Sequence, residues 1–247
     1  MNKLIQGLKA FLNKNNEIKL FRRFNKKARR LRRSAKHLSV SQPFDSSDRG
    51  FINAYISSQS HYIYGDVLEW ETPAYAKLHA KNLINLETAA YIGEKTKHPN
   101  ATYYLDLNDI STLPEKKFDC IIATQVLIFF VDIITALQNL RSMLKPNGVL
   151  ILTTHGNIFI NYSNDFPLLG YSAKAIEEVL NITFGENNIL DVQGFGNQEY
   201  AFYAICNTRY PKSTPAPSFD PRFTLIVAAT CKNQEETDVY IDGYKKM

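Results

Sequence analysis

The sequence predicts an α/β fold built on a doubly wound, mostly parallel sheet, and three observations predict it. Two short apolar runs, Phe118–Thr124 and Val149–Thr154, are rich in β-branched residues and suit strands buried on both faces. Between them, Asp132–Leu144 sets Ile133, Ile134, Leu137, Leu140, Met143 and Leu144 at three- and four-residue steps, which is one face of a helix. A strand-helix-strand crossover of this length makes the two strands parallel and the connection right-handed. Sheets of this kind bind ligands beyond the carboxyl ends of their strands.

Local chemistry supports each part of that unit. Asp132 stands at the amino end of the helix, where a carboxylate caps free amides and meets the positive end of the dipole. Lys145-Pro146-Asn147-Gly148 ends the helix, because proline cannot continue it and Asn or Gly takes the left-handed turn. Upstream, Phe51–Ser58 reads as a helix leading into the sheet, and residues 73–81 as a short helix. Downstream, Ser172–Asn181 starts as a capped helix, with Glu177 and Glu178 early in the run. Ile189–Val192 reads as a strand, residues 199–206 as a short helix or irregular insertion, and residues 209–221 as a proline-rich loop. Phe223–Cys231 is an apolar strand.

The chain divides into three parts: a basic arm and connector over residues 1–44, one domain over 45–232, and a polar tail over 233–247. Residues 1–36 hold thirteen Lys or Arg against the single acid Glu17, a charge of +12. The whole chain carries +5, which leaves −7 on the rest. Leu4, Ile5, Leu8, Phe11 and Leu12 share one helical face in the arm, and Leu20, Phe21, Phe24, Ala28 and Leu31 share another, with Arg and Lys opposite. That pattern is read either as a solvated charged tail or as an interfacial helix on anionic lipid, with nucleic acid the less favoured partner. Cys120, Cys206 and Cys231 lie far apart in apolar runs, so reduced core packing is expected, not a disulfide framework or zinc site, and with it a reducing, cytoplasmic setting. His61, His79 and His98 show no metal-ligand spacing, and no metal is expected.

The stretch F-D-x-I-x-x-x-x-V-L-x-F, then a helix, then L-K-P-N-G-V-L-I-L-T, resembles the fourth and fifth strands of class I S-adenosylmethionine-dependent methyltransferases of the small-molecule type. Gly65–Glu69 resembles that family's first strand, Leu83–Glu87 its second strand with a terminal acid, and Tyr103–Leu107 its third segment. Phe223–Cys231 resembles its antiparallel seventh strand, and Ser46–Ile56 the lead-in of a bacterial subgroup associated with surface-polysaccharide synthesis. The resemblance implies a seven-stranded Rossmann-like sheet and S-adenosyl-L-methionine as cofactor. It departs from the family at the first loop. The family's glycine-rich E-x-G-x-G-x-G is replaced by Glu69-Trp70-Glu71-Thr72-Pro73-Ala74-Tyr75, without a glycine. Glu71 thereby stands where the methionine part of the cofactor would lie.

The residues expected at the site follow from that resemblance. Glu69 would contact the cofactor's amino-acid portion, or else cap the following helix. Glu87 would accept from the ribose hydroxyls. Asp106 would meet the adenine amino group and the Leu107 backbone the ring, unless Asp106 only makes a turn. Thr124 and Gln125 leave the fourth strand and would border the methyl. His155 follows the fifth strand on the ligand side, and its ordinary pKa suits a base for a hydroxyl acceptor. Ala123-Thr124-Gln125-Val126 replaces the Asn- or Asp-Pro-Pro-aromatic turn that holds a flipped base, which argues against nucleobase amines and leaves sugars, lipid-linked glycans or other small polar acceptors. The arm would hold such an enzyme at the inner membrane face.

Overall fold

The structure, a computed structural model, describes residues 47–158, 169–198, 200–201 and 219–234. The arm, the tail beyond residue 234, Cys206 and most of the 199–206 and 209–221 readings lie outside the described residues.

Seven strands form one sheet: β1 Tyr64–Trp70, β2 Asn82–Tyr91, β3 Tyr103–Leu105, β4 Phe118–Thr124, β5 Leu144–His155, β6 Ile189–Phe195 and β7 Ile226–Lys232. Their order across the sheet is β3-β2-β1-β4-β5-β7-β6. The pairs β1–β2, β1–β4, β2–β3 and β4–β5 are parallel, and β7 runs antiparallel between β5 and β6. Among the described residues, four complete α-helices flank it: α1 Ser47–Ser58, α2 Ala74–His79, α3 Ile133–Ser142 and α4 Ala173–Phe184.

The apolar periodicity decides which helix covers which face. Ala136, Leu137 and Leu140 of α3 and Ile176, Leu180 and Phe184 of α4 pack with Leu68, Ile121, Leu150 and Leu152 on one side. Ile52, Tyr55 and Ile56 of α1 and Tyr75 and Ala76 of α2 pack with Val67, Cys120, Ile122 and Ile151 on the other. Successive strand residues thus feed opposite cores, as the period of two requires. Cys120 and Cys231 are buried free thiols within these cores. The Tyr55 hydroxyl reaches across to Thr230 Oγ1 at 2.8 Å and satisfies the polar tip of a buried ring.

The expected caps are in place. Asp132 accepts the Thr135 amide at 3.0 Å, and Ser172 Oγ accepts the Ala175 amide at 3.1 Å. Asn147 takes φ 64°, so the asparagine makes the left-handed turn. Several boundaries differ from expectation: β7 begins at Ile226 and not at Phe223, which ends a 3-10 turn, and β6 runs past Val192 to Phe195. Leu144–Gly148 already belongs to β5, with the left-handed Asn147 inside it and a register shift against β4 between Phe118 and Cys120. The second strand does not end at Glu87 but runs on to Tyr91, because Thr88-Ala89-Ala90 is a small-residue stretch that fits beside both β1 and β3.

Candidate active site at the carboxyl edge of the sheet

Strand direction puts the ends of β1, β2, β4 and β5 at one edge. Glu69, one residue from the end of β1, is fully buried. Its two oxygens accept the amides of Tyr75 and Ala76, each at 2.8 Å, so it ties the loop and the start of α2 to the strand. Burial outweighs those amides and pushes its carboxyl up to about 7. The capping alternative is therefore the geometry that this carboxylate adopts.

The loop makes a left-handed turn without a glycine. Glu71 itself adopts φ 64°, a conformation for which glycine is the default. Its amide donates to Ala89 O, the Thr72 amide to Trp70 O and the Ala74 amide to Thr72 O. With Tyr75 and Ala76 bound to Glu69, and Pro73 lacking a donor, every amide from 71 to 76 is used within the protein.

The Glu71 side chain turns toward β2. Its Oε1 lies 3.9 Å from His98 Nε2, and the ligand-type atoms of Glu71, Glu94 and His98 all lie within 4.8 Å of one another. Glu94 is buried just past the end of β2 and pairs with Lys97. It is thus the acid at the tip of that strand. Glu87 sits opposite Leu68, short of the tip, and its oxygens take Lys116 at 2.6 Å and the Tyr103 hydroxyl at 2.7 Å. Burial raises the Glu87 carboxyl, but Lys116 and Tyr103 outweigh it and hold it below the usual range. Sequence reading missed Glu94 and His98, since only parallel pairing of β1 with β2 brings them to Glu71.

Asp106 follows β3 and accepts the Asn108 amide at 2.9 Å, the turn that its sequence context allows. The Leu107 side chain is core, and its carbonyl accepts from Asn139 Nδ2 at 2.7 Å, which pins this loop to α3. Thr124 ends β4. Gln125 follows it at φ 59°, with its amide donating to Thr153 O at 2.8 Å. The Gln125 side chain is 8% exposed, and neither its oxygen nor its nitrogen has a partner among the described residues. Trp70 Nε1 and Thr154 Oγ1, at the same edge, are also buried without one. Such orphaned groups are uncommon in native proteins, and three of them fall at this one edge.

His155 closes β5 and is buried on the α1 side. Burial depresses its pKa to about 4, with Asp48 opposing and Arg49 adding to that. Arg49, another residue that the sequence did not single out, brings its guanidinium to 3.5 Å from the Tyr75 hydroxyl and sets a cation beside the loop.

Residues 81–150 match the family model described as "Methyltransferase domain". Among curated proteins none matches the chain in sequence. Among solved structures it is similar to the carbon methyltransferase CurJ, at 15% identity and a TM-score of 0.50, over 77% of this chain and 56% of that one. It is also similar to the N-methyltransferase NodS from Bradyrhizobium japonicum, solved with S-adenosyl-L-homocysteine, at 15% identity and a TM-score of 0.45, over 83% of this chain and 99% of that one. The chain spans little more than half the length of CurJ. The strand order, together with the match over residues 81–150, is that of the class I S-adenosylmethionine-dependent methyltransferase fold.

Proposed function

We propose that the chain transfers a methyl group from S-adenosyl-L-methionine to a hydroxyl of a sugar, a lipid-linked glycan or another small polar acceptor, as an O-methylation step of surface-polysaccharide synthesis. The observation that carries this reading is the unpartnered Gln125 side-chain carboxamide at the end of β4, on the same edge of the sheet as the acids that cluster after β1 and β2. The residues suit the cofactor. The left-handed turn survives at Glu71, Arg49 supplies a cation for a carboxylate, and Glu71 and Glu94 supply carboxylates for hydroxyl or ammonium groups.

When bound, the cofactor supplies an electrophilic methyl on a sulfonium, and the remaining work is positioning. Thr124 and Gln125 orient polar groups at the β4 tip. Glu69 fixes the loop, and Asp106 and Leu107 shape the wall beyond β3. His155 is neutral at pH 7 and accepts a hydrogen bond from an acceptor hydroxyl, but with its pKa near 4 it is a much weaker base than the ordinary histidine that the sequence suggested. The basic arm attracts an anionic membrane surface, where lipid-linked acceptors reside.

A second reading, a binding or scaffold protein that keeps the fold without the cofactor, is favoured by one observation. The loop offers no free amide to an incoming anion, since all of them are consumed internally. Calorimetry with S-adenosylmethionine and S-adenosylhomocysteine decides between the two. Micromolar affinity supports the enzyme, and no heat from either compound supports the scaffold.

A further inference from the structure

We infer that the carboxyl edge of the sheet, the edge that carries the proposed site, is the face that docks on an anionic lipid surface. The inference rests on the methyl-transfer reading only for what the docked face would do there, not for the docking itself. Three observations converge on it.

The first is where the arm joins the domain. The described part of the chain starts at α1, and the first turn of α1 lies at this edge. Arg49 reaches the Tyr75 hydroxyl, and Asp48 and Arg49 both act on His155, the last residue of β5. From there α1 runs back toward the start of β1 at the other edge. The chain that carries +12 over residues 1–36 therefore enters the domain at this edge.

The second is apolar exposure. Ile92, beyond the tip of β2, is 46% exposed, Ile110, after the β3 turn, 74%, and Val131, after the β4 tip, 73%. The Asn108 side chain donates to Asp132 O and holds the Ile110 and Val131 loops together. Exposed branched aliphatics at the edge where a cationic segment enters the domain suit an interface that is part headgroup and part acyl chain, which nucleic acid is not. Tyr64, Leu83 and Ile84 at the opposite edge are exposed too, so the arm decides between the edges.

The third is charge. The body apart from residues 1–36 carries −7 and is repelled by an anionic surface, so attraction must come through the arm and must orient the domain. An acceptor held in that surface then meets the site directly.

The experiment is hydrogen exchange on the full chain, free and bound to phosphatidylcholine vesicles with and without phosphatidylglycerol. Binding is expected only with the anionic lipid, and it should weaken steeply with salt. Protection should fall on residues 71–73, 92–95 and 125–132 and not on 60–66 or 82–86. Reversing Arg29, Arg30, Arg32 and Arg33 to Glu in the full chain should abolish binding. Val131→Asp should weaken it at least threefold while leaving donor affinity in solution unchanged. Protection confined to the opposite edge, binding that survives the charge reversal, or capture of RNA but not of vesicles would each overturn the inference. Donor calorimetry without vesicles tests the methyl-transfer reading separately, so the two failures are distinguishable.

Discussion

Glu69 on β1 and His155 on β5 are buried at the same edge and on the same face of the sheet, and burial moves them in opposite directions, to about 7 and about 4. Each favours its neutral form in the folded chain. The Glu69 carboxyl is raised from 4.5, so the folded state holds its proton more tightly than the unfolded state does. Its stabilising contribution is full below pH 4.5 and is lost as pH rises through 7. The His155 imidazole is depressed from 6.5, so its contribution is present above pH 6.5 and is lost as pH falls through 4.

Between pH 4.5 and 6.5 the two slopes oppose one another. Each amounts to about 1.4 kcal/mol per pH unit when a full proton is involved. Urea denaturation across this window should show little net slope from the pair. Glu69→Gln should leave a chain that loses stability toward acid, and His155→Gln one that gains it. A parallel response of both variants to pH would refute the assignment. Glu69→Gln should also lower stability at neutral pH by about 1–3 kcal/mol, because the amide of Tyr75 or Ala76 then faces an NH2 group.

Donor affinity should separate the two acids of the β2 region. Glu94 lies at the strand tip beside Glu71, whereas Glu87 is committed to Lys116 and Tyr103. Glu94→Gln is expected to weaken S-adenosylmethionine binding about tenfold, the scale of one charged hydrogen bond. Glu87→Gln should shift it less than twofold, with its effect appearing in thermal stability. Calorimetry on both variants checks this, and the reverse ranking would return the ribose role to Glu87.

The β4–α3–β5 unit was legible because three local signals coincide there. These are an apolar run of strand length, a helix with a carboxylate at its start, and an asparagine that can turn left-handed. The end of β2 was not legible. Thr88, Ala89 and Ala90 show neither strong alternation nor bulk, and only pairing with β1 and β3 extends the strand through them. Glu69 at the β1 end was legible as a position, while the use of both its oxygens by the loop was not, since that depends on how Pro73 and Ala74 fold back. Glu94 and His98 were invisible for a related reason. No local pattern ties them to Glu71, and their approach to it arises from long-range register.

Asn139 links the wall of the proposed site to the helix layer. It is buried in α3 and donates to the Leu107 carbonyl across the β3 loop. Asn139→Leu keeps the volume but leaves that carbonyl without its partner, at a cost of about 1–3 kcal/mol. Hydrogen exchange should quicken over residues 106–112 and remain unchanged in β5. An unaltered exchange profile would show that the loop holds its place without this bond.

Glu71→Gly is the most discriminating single change. At φ 64° a glutamate is strained by roughly 1 kcal/mol relative to glycine, and the flexible glycine gives back part of that gain in the unfolded chain. The variant should therefore fold, with stability within about 1 kcal/mol of the parent or above it. Its donor affinity then divides the two functional readings. If the parent binds S-adenosylmethionine, the Glu71 carboxylate, which is turned toward His98, contributes only at the margin, and affinity should change by less than about tenfold, or 1.4 kcal/mol. If the side chain seals the berth, the parent binds nothing and the glycine variant acquires affinity, because the left-handed turn is already in place. Titration of both proteins with the same donor preparation distinguishes these outcomes. A variant that neither binds nor folds less stably than the parent would place the obstruction in the loop's internally committed amides instead.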